Sequence, residues 1–562
     1  MNRVNIFIDS IEKFAKSKIH DYSLTETNFW KKLLQENESL WSKKIRKVSG
    51  KRILIATSTG GHQAITPVES LLAVALTLRG AQVHLLLCDK VLPACLQATT
   101  TSFKDQSEFP QYGPQKSLCD TCFLHGINTY KPLELPIHLY SEFIKHNEQK
   151  KIDMLVKKMN INEIKNFKLH GLEIGEHAFA GALRYFARAD ISEEPYSDKV
   201  LKRYFHAALT TAYVTNRLLN KFKFDCAVFH HGIYIPQGIV GEVARSKNIR
   251  IVNWNPAYRK KCFIFSHYDT YHHTLLSEPV SKWENIKFTG KMEKKTMEYL
   301  KSRWFGTKDW IWFHEKPTIA LTRITDELKM DFNKPCIGML TNVIWDAQLH
   351  YKANAFPNML DWIIKTIRYF IKRPELQLII RIHPAEIRGT LPSRQKVAIE
   401  IQKCFPNLPK NIITIHSESQ VSTYAVMDLC NAVLIYGTKT GVELTTRGIP
   451  VIVAGEAWIR NKGITMDAKS VNDYYRLLDE LPLKRKMDNR MIRRARKYAY
   501  HFFFRRMIPI NFLKHIKGWP PYQLKVDKLD DLLPGSDKGL DVICKGILLG
   551  KDFIYKDEKY EK

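Results

Sequence analysis

The stretch Asn431–Gly463 constrains the fold more than any other part of the chain. It reads NAVLIYGTKTGVELTTRGIPVIVAGEAWIRNKG. A short apolar run meets a polar turn bounded by Gly437 and Gly441, a helical segment follows and closes at Gly448, and a second apolar run begins at Pro450. This order predicts a strand, a loop, a helix and a strand, which is the unit from which parallel sheets are built.

The turn of this unit carries side chains that suit a phosphorylated or nucleotide ligand. In a parallel sheet this loop lies at the carboxyl edge, and the helix after it offers unpaired N–H groups to an anion. Two glycines would let the backbone approach a ligand, two threonines and a lysine supply hydroxyls and a cation, and a glutamate one turn into the helix would accept ribose hydroxyls. The candidates are Gly437, Thr438, Lys439, Thr440, Gly441 and Glu443. A helix cap without any ligand is the alternative interpretation.

The same rhythm of strand, turn and helix recurs along the chain. In the first half, a strand runs into the Gly-Gly-His turn at residues 60–62, and a later strand ends in His230 and His231. The second half repeats the pattern from residue 336 onward, after a stretch rich in aromatic residues and histidine. Strands that alternate with helices predict a doubly wound α/β fold.

The chain length and these pattern changes predict two domains with extensions. A chain of 562 residues is long enough to bury two cores. We predict a helical N-terminal leader (1–48), a first Rossmann-like domain (49–320), a second Rossmann-like domain (321–482) and a basic and aromatic helical tail (483–562).

Polar side chains accumulate where the predicted strands end. A core has no need of polar groups at these points, whereas a ligand at the carboxyl edge of a sheet does. Beyond the 437–443 loop, these residues are Gly60, Gly61, His62, His230, His231, Asn342, Trp345, Asp346, Arg381, His383, Glu386 and Glu418. The sequence therefore predicts a ligand site between the two domains.

The charge of the chain predicts an anionic partner. The formal net charge is +30, which favours nucleic acid, acidic lipid, or phosphorylated sugars and nucleotides without choosing among them. A hydrophobic fraction of 44% excludes a largely disordered protein. The tail beyond Leu483 is first basic and then aromatic, which predicts either a helix packed across both domains or contact with an anionic membrane surface.

Two further patterns bear on location and on metal binding. The first 18 residues alternate charged and apolar types, so we expect no secretory signal and a cytoplasmic protein, peripheral at the inner face of the membrane if it contacts one. The ten cysteines fit reduced thiols. Cys119 and Cys122 form a single CxxC, which without a second pair is a weak zinc signal, so we expect a turn lined by thiols and no metal site.

Several motifs together resemble a known group of enzymes. The strand-end pattern, with the Gly-Gly-His turn, resembles the two-domain GT-B glycosyltransferases. The segments Asn342–Asp346, Arg381–Glu386 and Tyr436–Gly463 are similar to bacterial capsule or surface polysaccharide biosynthesis proteins, a group that includes Kdo transferases. The resemblance is good over 330–510 and looser over 50–290. It implies a GT-B-like α/β fold, with two Rossmann-like domains that face each other across a cleft holding a nucleotide-sugar, and it implies no cofactor beyond that substrate.

The chemistry of sugar transfer assigns roles to the candidate residues. The reaction needs a base for the acceptor hydroxyl and positive charge for the departing phosphate. We expect His62, His231 or Asp346 to be the base, without a ranking among them. Arg381, His383 and Lys439 are expected on the phosphate side. The resemblance and the absence of a DxD motif after a strand predict a reaction without a metal ion.

Two other functional classes remain open from the sequence. A sugar-nucleotide epimerase can have the same architecture, since a fold does not settle a reaction. A basic nucleic-acid-binding protein would explain the charge but would leave the strand-end residues without a role, and we expect no nucleic acid partner. The expected partners are a nucleotide-sugar donor and a saccharide or lipid-linked acceptor.

Overall fold

The computed structural model describes residues 29–310, 317–320, 324, 328–329, 331, 334–347, 349 and 353–556. The predicted leader lies outside these residues as far as position 28, and residues 29–35 are helical. The predicted boundary between the two domains, at 320 and 321, falls where few residues are described. Residues 557–562 of the tail also lie outside them.

The N-terminal domain is built around a mostly parallel sheet. Its strands are β1 (Arg52–Ser58), β2 (Gln82–Leu87), β3 (Ile137–Leu139), β4 (Cys226–His230), β5 (Arg250–Pro256) and β6 (Cys262–His267). Its helices are α1 (Glu38–Ile45), α2 (Thr66–Leu78), α3 (Glu108–Tyr112), α4 (Lys116–Tyr130), α5 (His146–Lys158), α6 (Ile161–Lys165), α7 (Ile174–Phe186), α8 (Ser197–Lys221), α9 (Gln237–Ser246), α10 (Tyr271–Ser277) and α11 (Gly290–Arg303).

The C-terminal domain repeats this plan. Its strands are β7 (Cys336–Leu340), β8 (Gln377–Arg381), β9 (Ile412–Ile415), β10 (Ala432–Ile435), β11 (Val451–Val453) and β12 (Met466–Asp467). Its helices are α12 (Met359–Ile371), α13 (Ala385–Arg388), α14 (Val397–Cys404), α15 (Thr423–Met427), α16 (Thr440–Thr445) and α17 (Val471–Asp479). The unit predicted from the opening stretch is confirmed as β10, α16 and β11.

The last part of the chain contains α18 (Asn489–Tyr500), β13 (Ile508–Pro509), β14 (Leu513–His515), β15 (Tyr522–Leu524) and α19 (Lys538–Leu549). Strand β13 pairs antiparallel with β6 and so joins the N-terminal sheet. Helix α19 packs against α2 and β13 of the same domain. The tail therefore returns from the C-terminal domain to the N-terminal one.

Strand order places the two ligand edges. The N-terminal sheet runs β13-β6-β5-β4-β1-β2-β3, with β1 parallel to both β2 and β4. The C-terminal sheet runs β12-β11-β10-β7-β8-β9 and all its pairs are parallel. Because parallel strands end at one edge, the predicted site residues of each half lie on one edge of one sheet. The two Rossmann-like α/β domains predicted from the sequence are confirmed.

Both faces of each sheet are buried. Neighbouring residues of a strand point to opposite faces, and Ile53 and Ile55 enter one apolar cluster while Leu54 and Ala56 enter another. Strand β7 is buried along its whole length in the same way. This arrangement is typical of parallel sheets covered by helices on both faces, and it explains why the strands read as continuous apolar runs.

The basic and aromatic tail is largely engaged inside the molecule. Arg493 and Arg496 pair with Glu293 of α11 at 3.0 and 2.8 Å, and Lys497 donates to the backbone oxygen of Glu284 at 2.7 Å. The aromatic residues that follow are buried: Tyr498, Tyr500, Phe502, Phe503 and Phe504. The structure therefore has the packed helix rather than a free tail. Membrane contact stays a prediction for the exposed basic residues before it, Lys484, Arg485, Lys486 and Arg490.

Two regions differ from the sequence predictions. The stretch rich in aromatic residues and histidine, about 254–335, is expected from the sequence to be irregular. It contains β6, α10 and α11, because short aromatic segments carry no clear period. Cys119 and Cys122 lie in α4, so the predicted turn is wrong. Among the described residues, no helix combines the length and the apolar character that crossing a membrane requires.

Candidate active site

Three histidines meet at the carboxyl edge of the N-terminal sheet. His62 follows β1, and His230 and His231 end β4. The ring centroids of His62 and His230 are 5.7 Å apart, and those of His230 and His231 are 5.6 Å apart. In all three rings Nδ1 is buried and forms no hydrogen bond with the described parts of the chain. The structure thus brings together two of the predicted bases and adds His230.

The surroundings keep these imidazoles neutral near pH 7. Burial and the nearby Arg184 guanidinium lower the pKa of His62 to about 4. Burial, Arg184 and His62 lower the pKa of His231 to about 3. A neutral imidazole with so low a pKa is a weak proton acceptor, because general bases work best with a pKa near the working pH.

A buried carboxyl group fixes the strand ends beneath the histidines. Glu69 of α2 accepts hydrogen bonds from Thr57 Oγ1 at 2.5 Å and from Trp254 Nε1 at 3.0 Å. The Trp254 ring lies against His230 at 4.9 Å. Burial raises the pKa of Glu69 to about 7 despite these donors. This network joins β1 and β5 and packs against the residue that ends β4.

Asp346, the third predicted base, reaches the histidines through Tyr234. The Tyr234 hydroxyl donates to Asp346 Oδ1 at 2.9 Å and accepts from the backbone N–H of Ala347 at 2.8 Å. The Tyr234 ring stacks on His231 at 4.9 Å. His231 and Ala347 have φ values of 60° and 52°, a strained conformation for residues with side chains. The contact therefore joins the two domains at strained residues.

Gly60 and Gly61 are required by packing against α4. A Cβ atom on Gly60 would lie 2.6 Å from the Cα of Gly126, and one on Gly61 would lie 2.6 Å from the Cα of Cys122. The backbone N–H of Gly61 also donates to Cys122 Sγ at 3.1 Å. Helix α4 thus supports the turn that carries His62. In the described parts of the chain no three metal-ligating side chains are grouped, and the expectation of no zinc at Cys119 and Cys122 stays a prediction.

The predicted residues after β8 hold neighbouring loops. Arg381 is buried and donates to the backbone oxygens of His416 and Ser419, the latter at 3.1 Å. Glu386 is buried and accepts from the Val397 N–H at 2.8 Å, and burial raises its pKa.

His383 and Glu418 lie nearer the surface. The backbone N–H of His383 donates to Thr341 Oγ1 at 3.0 Å, and its Nδ1 accepts from the Ala385 N–H at 3.1 Å. Glu418 is exposed. The structure therefore brings His383 beside the loop that follows β7, while Arg381 and Glu386 shape the loops around it.

The 437–443 loop is anchored by packing and by a buried ion cluster. A Cβ atom on Gly441 would lie 2.6 Å from Ile435 Cδ1, so this glycine lets α16 pack on β10. Its φ is not positive, so its role is to leave room for this packing. Thr438 Oγ1 lies 3.1 Å from Thr440 Oγ1. A Cβ atom on Gly437 would meet only ordinary contact distances, so packing does not require that glycine.

The ion cluster consists of Glu443, Lys439 and Arg303. Glu443 pairs with Lys439 at 3.1 Å and with Arg303 of α11 at 3.1 Å, the second without hydrogen-bond geometry. The Tyr424 hydroxyl also donates to Glu443 at 2.5 Å. Burial acts to raise the pKa of Glu443, but Arg303 and Lys439 hold it below its ordinary value. Burial and Arg303 lower the pKa of Lys439.

Sequence analysis missed four residues of this region. These residues are Tyr234, Arg303, Glu69 and Glu456. Only Glu456 follows a strand in a recognisable polar motif, because it lies after β11 in Gly455-Glu456. That position was a usable indication. Arg303 lies on a helix whose sequence reads as an ordinary charged surface.

A comparison with known protein families gives a match in the C-terminal half of the chain. Residues 314–498 match the family model of the capsule polysaccharide biosynthesis proteins. The resemblance predicted from the sequence is confirmed for this segment, which contains the sheet edge from β7 to β11. The capsule biosynthesis match therefore covers Asp346, His383 and the 437–443 loop. A search of curated proteins finds no match.

Solved structures with some likeness include two kinds of sugar enzyme. The Thermosulfurimonas dismutans KpsC beta Kdo 2,4 transferase is 11% identical, with a TM-score of 0.31 over 49% of this chain and 79% of that one. The UDP-GlcNAc 2-epimerase of Neisseria meningitidis is 10% identical, with a TM-score of 0.23 over 80% of this chain and 95% of that one.

Proposed function

We propose that this protein is a glycosyltransferase that moves a sugar from a nucleotide-sugar to a growing surface polysaccharide or a lipid-linked acceptor. The observation that carries the proposal is the hydrogen bond between Tyr234 and Asp346, because it joins the polar edges of two Rossmann-like sheets. The capsule biosynthesis match over 314–498 supports the same assignment. A bisubstrate transfer needs two facing sites, one for each substrate.

Asp346 is the base in this proposal. The acceptor hydroxyl gives its proton to the carboxylate, its oxygen bonds to the anomeric carbon, and the bond from that carbon to the donor phosphate breaks as the nucleotide leaves. The low pKa values of His62 and His231 make them weak bases at pH 7. They act instead as neutral hydrogen-bonding groups for the acceptor, next to Arg184.

The donor lies along the C-terminal sheet edge. The hydroxyls of Thr438 and Thr440, together with His383, contact its phosphates, and Arg381 acts by holding the loop at residues 416–419. The nucleotide-sugar is the substrate, and the reaction uses no further cofactor and no metal ion. Contact with an anionic membrane through the exposed basic residues Lys484, Arg485, Lys486 and Arg490 would bring the enzyme to a lipid-linked acceptor.

A donor screen with purified full-length protein tests this function. CMP-, UDP- and GDP-sugars are incubated with and without saccharide acceptors, and nucleotide release is measured. We expect release that depends on an acceptor, that survives EDTA, and that falls by about 10²–10⁴-fold in Asp346→Asn.

The other outcomes identify the competing functions. Interconversion of the sugar without an acceptor indicates an epimerase, and salt-sensitive DNA or RNA binding without nucleotide-sugar turnover indicates a nucleic-acid-binding protein. Loss of activity in EDTA that Mn²⁺ or Mg²⁺ restores would contradict metal independence. Unchanged activity in Asp346→Asn would contradict its role as the base.

A further inference from the structure

Glu456 lies at the carboxyl edge of the C-terminal sheet, three residues after β11. Its backbone N–H donates to Asn354 Oδ1 at 2.8 Å, and its Oε1 accepts from the Ala353 N–H at 2.8 Å. Two hydrogen bonds to one short segment therefore fix both the backbone and the side chain. The carboxylate has one defined orientation.

The second carboxylate oxygen receives no hydrogen bond from any residue that the structure describes. Oε2 of Glu456 is buried and unsatisfied, and the side chain is only 8% exposed. The His273 Nε2 atom lies 3.7 Å from this oxygen, which is beyond hydrogen-bond distance. A buried carboxylate oxygen without a donor is costly, so such atoms in folded proteins call for an explanation.

The surroundings of Glu456 indicate a ligand between the domains. A Cβ atom on Gly437, the first residue of the 437–443 loop, would lie 3.5 Å from the backbone oxygen of Glu456. On the other side, His273 belongs to the N-terminal domain and its Nδ1 is paired with Asp269 at 3.0 Å. Glu456 thus lies between the loop assigned to the donor and a histidine of the opposite domain.

We propose that Glu456 binds the glycosyl group of the donor, its Oε2 accepting a hydrogen bond from a sugar hydroxyl. This inference rests on the proposed transferase function, and it assigns Glu456 to the glycosyl part of the donor. A carboxylate repels the phosphates of a nucleotide, whereas a sugar hydroxyl donates to it in a charge-assisted hydrogen bond. The ribose of a nucleotide also carries hydroxyls, so free nucleotides are the comparison that separates contact with ribose from contact with the glycosyl group.

Calorimetry separates contact with the sugar from contact with the nucleotide. Parent and Glu456→Gln are titrated with UDP-, GDP- and CMP-sugars and with UDP, GDP and CMP alone. Glutamine keeps the size of the side chain and an oxygen for the Ala353 N–H, while it removes the charge. We expect affinity for the nucleotide-sugar to fall about tenfold, with affinity for the free nucleotide unchanged.

Glu480→Gln is the matched control, because Glu480 is an exposed carboxylate of the same domain that pairs with Arg476 at 3.3 Å. It should bind both ligands as the parent does. Equal weakening of both ligands in Glu456→Gln, or no weakening of either, would overturn the assignment to the sugar. A parent protein that binds none of these nucleotides or nucleotide-sugars would instead contradict the proposed function itself.

Discussion

The carboxylate of Glu443 illustrates how neighbours decide the role of a residue. From the sequence, its position one turn into a helix predicted contact with ribose hydroxyls. In the structure it is buried between Lys439 and Arg303, with the Tyr424 hydroxyl on the same group. Contact with a ligand stays a prediction, while the structural role follows from these contacts. Arg303 lies on α11, far from Glu443 in the sequence, so the pair joins distant segments of the chain.

We predict that Glu443→Gln lowers the thermal stability of the protein. Removing one member of a buried ion pair leaves its partners uncompensated and typically costs about 3–5 kcal/mol. Because Arg303 and Lys439 hold the pKa of Glu443 below its ordinary value, this stabilisation is present above the unfolded value of about 4.3 and is lost as pH falls through the folded pKa. Melting curves of parent and variant should therefore converge at acidic pH.

A different pattern would reassign Glu443. If the variant melts with the parent at pH 7 while its affinity for a nucleotide falls about ten- to a hundred-fold, then the carboxylate contacts the ligand directly. Calorimetry with the nucleotide that the parent binds measures this affinity.

At the scale of elements, helix α4 supports the turn that carries His62. Gly126 of α4 and Gly60 of the turn approach closely, since a Cβ atom on Gly126 would lie 2.7 Å from the Cα of Gly60. Gly61 meets Cys122 of the same helix. The position of the helix is therefore set by three glycines that leave no room for a side chain: Gly60, Gly61 and Gly126.

We predict that Gly126→Ala displaces α4 from the turn. Overpacking of this kind costs about 1–3 kcal/mol, so the melting temperature should fall, and acceptor-dependent transfer should fall with it as His62 moves. Gly290→Ala is the control, because a Cβ atom there meets nothing within 4 Å. A parent-like melting curve and activity for Gly126→Ala would show that this contact does not position the turn.

The strands and helices with clear periodicity could be predicted from the sequence, and the others could not. Helix α12 is indicated by the sequence, because its apolar residues recur with the helical period. Strand β13 has two residues and pairs with β6, far away in sequence, so no local pattern indicates it. Helix α4 was not predicted, because the spacing of Cys119 and Cys122 was interpreted as a turn lined by thiols.

The edge location of the site could also be predicted, but not the contacts within it. Parallel strands bring their carboxyl ends together, which places His62, His231 and Asp346 correctly at the sheet edges. The bridge from Tyr234 to Asp346 joins residues 112 positions apart in different domains. A single sequence contains no distance information of that kind. The burial of Glu443 likewise depends on Arg303 of α11, a helix far away in the sequence.

For the whole molecule, the tail ties the two halves together. Arg496 of helix α18 donates a hydrogen bond from Nε to the backbone oxygen of Thr446 in the C-terminal domain at 3.0 Å. Beyond it, Asp541 of α19 pairs with Arg79 of the N-terminal domain at 2.6 Å. The chain thus crosses between the domains twice, and part of its net charge of +30 is used in these internal contacts.

Hydrogen–deuterium exchange with bound nucleotide tests most directly whether the two sheet edges form one transfer site. With the nucleotide that the parent binds, we predict slower amide exchange in residues 341–346 and 437–443. Adding an acceptor together with the donor should also slow exchange in residues 60–62 and 230–234. Protection that avoids both edges at saturating nucleotide, or protection confined to surfaces away from Asp346, would contradict this account.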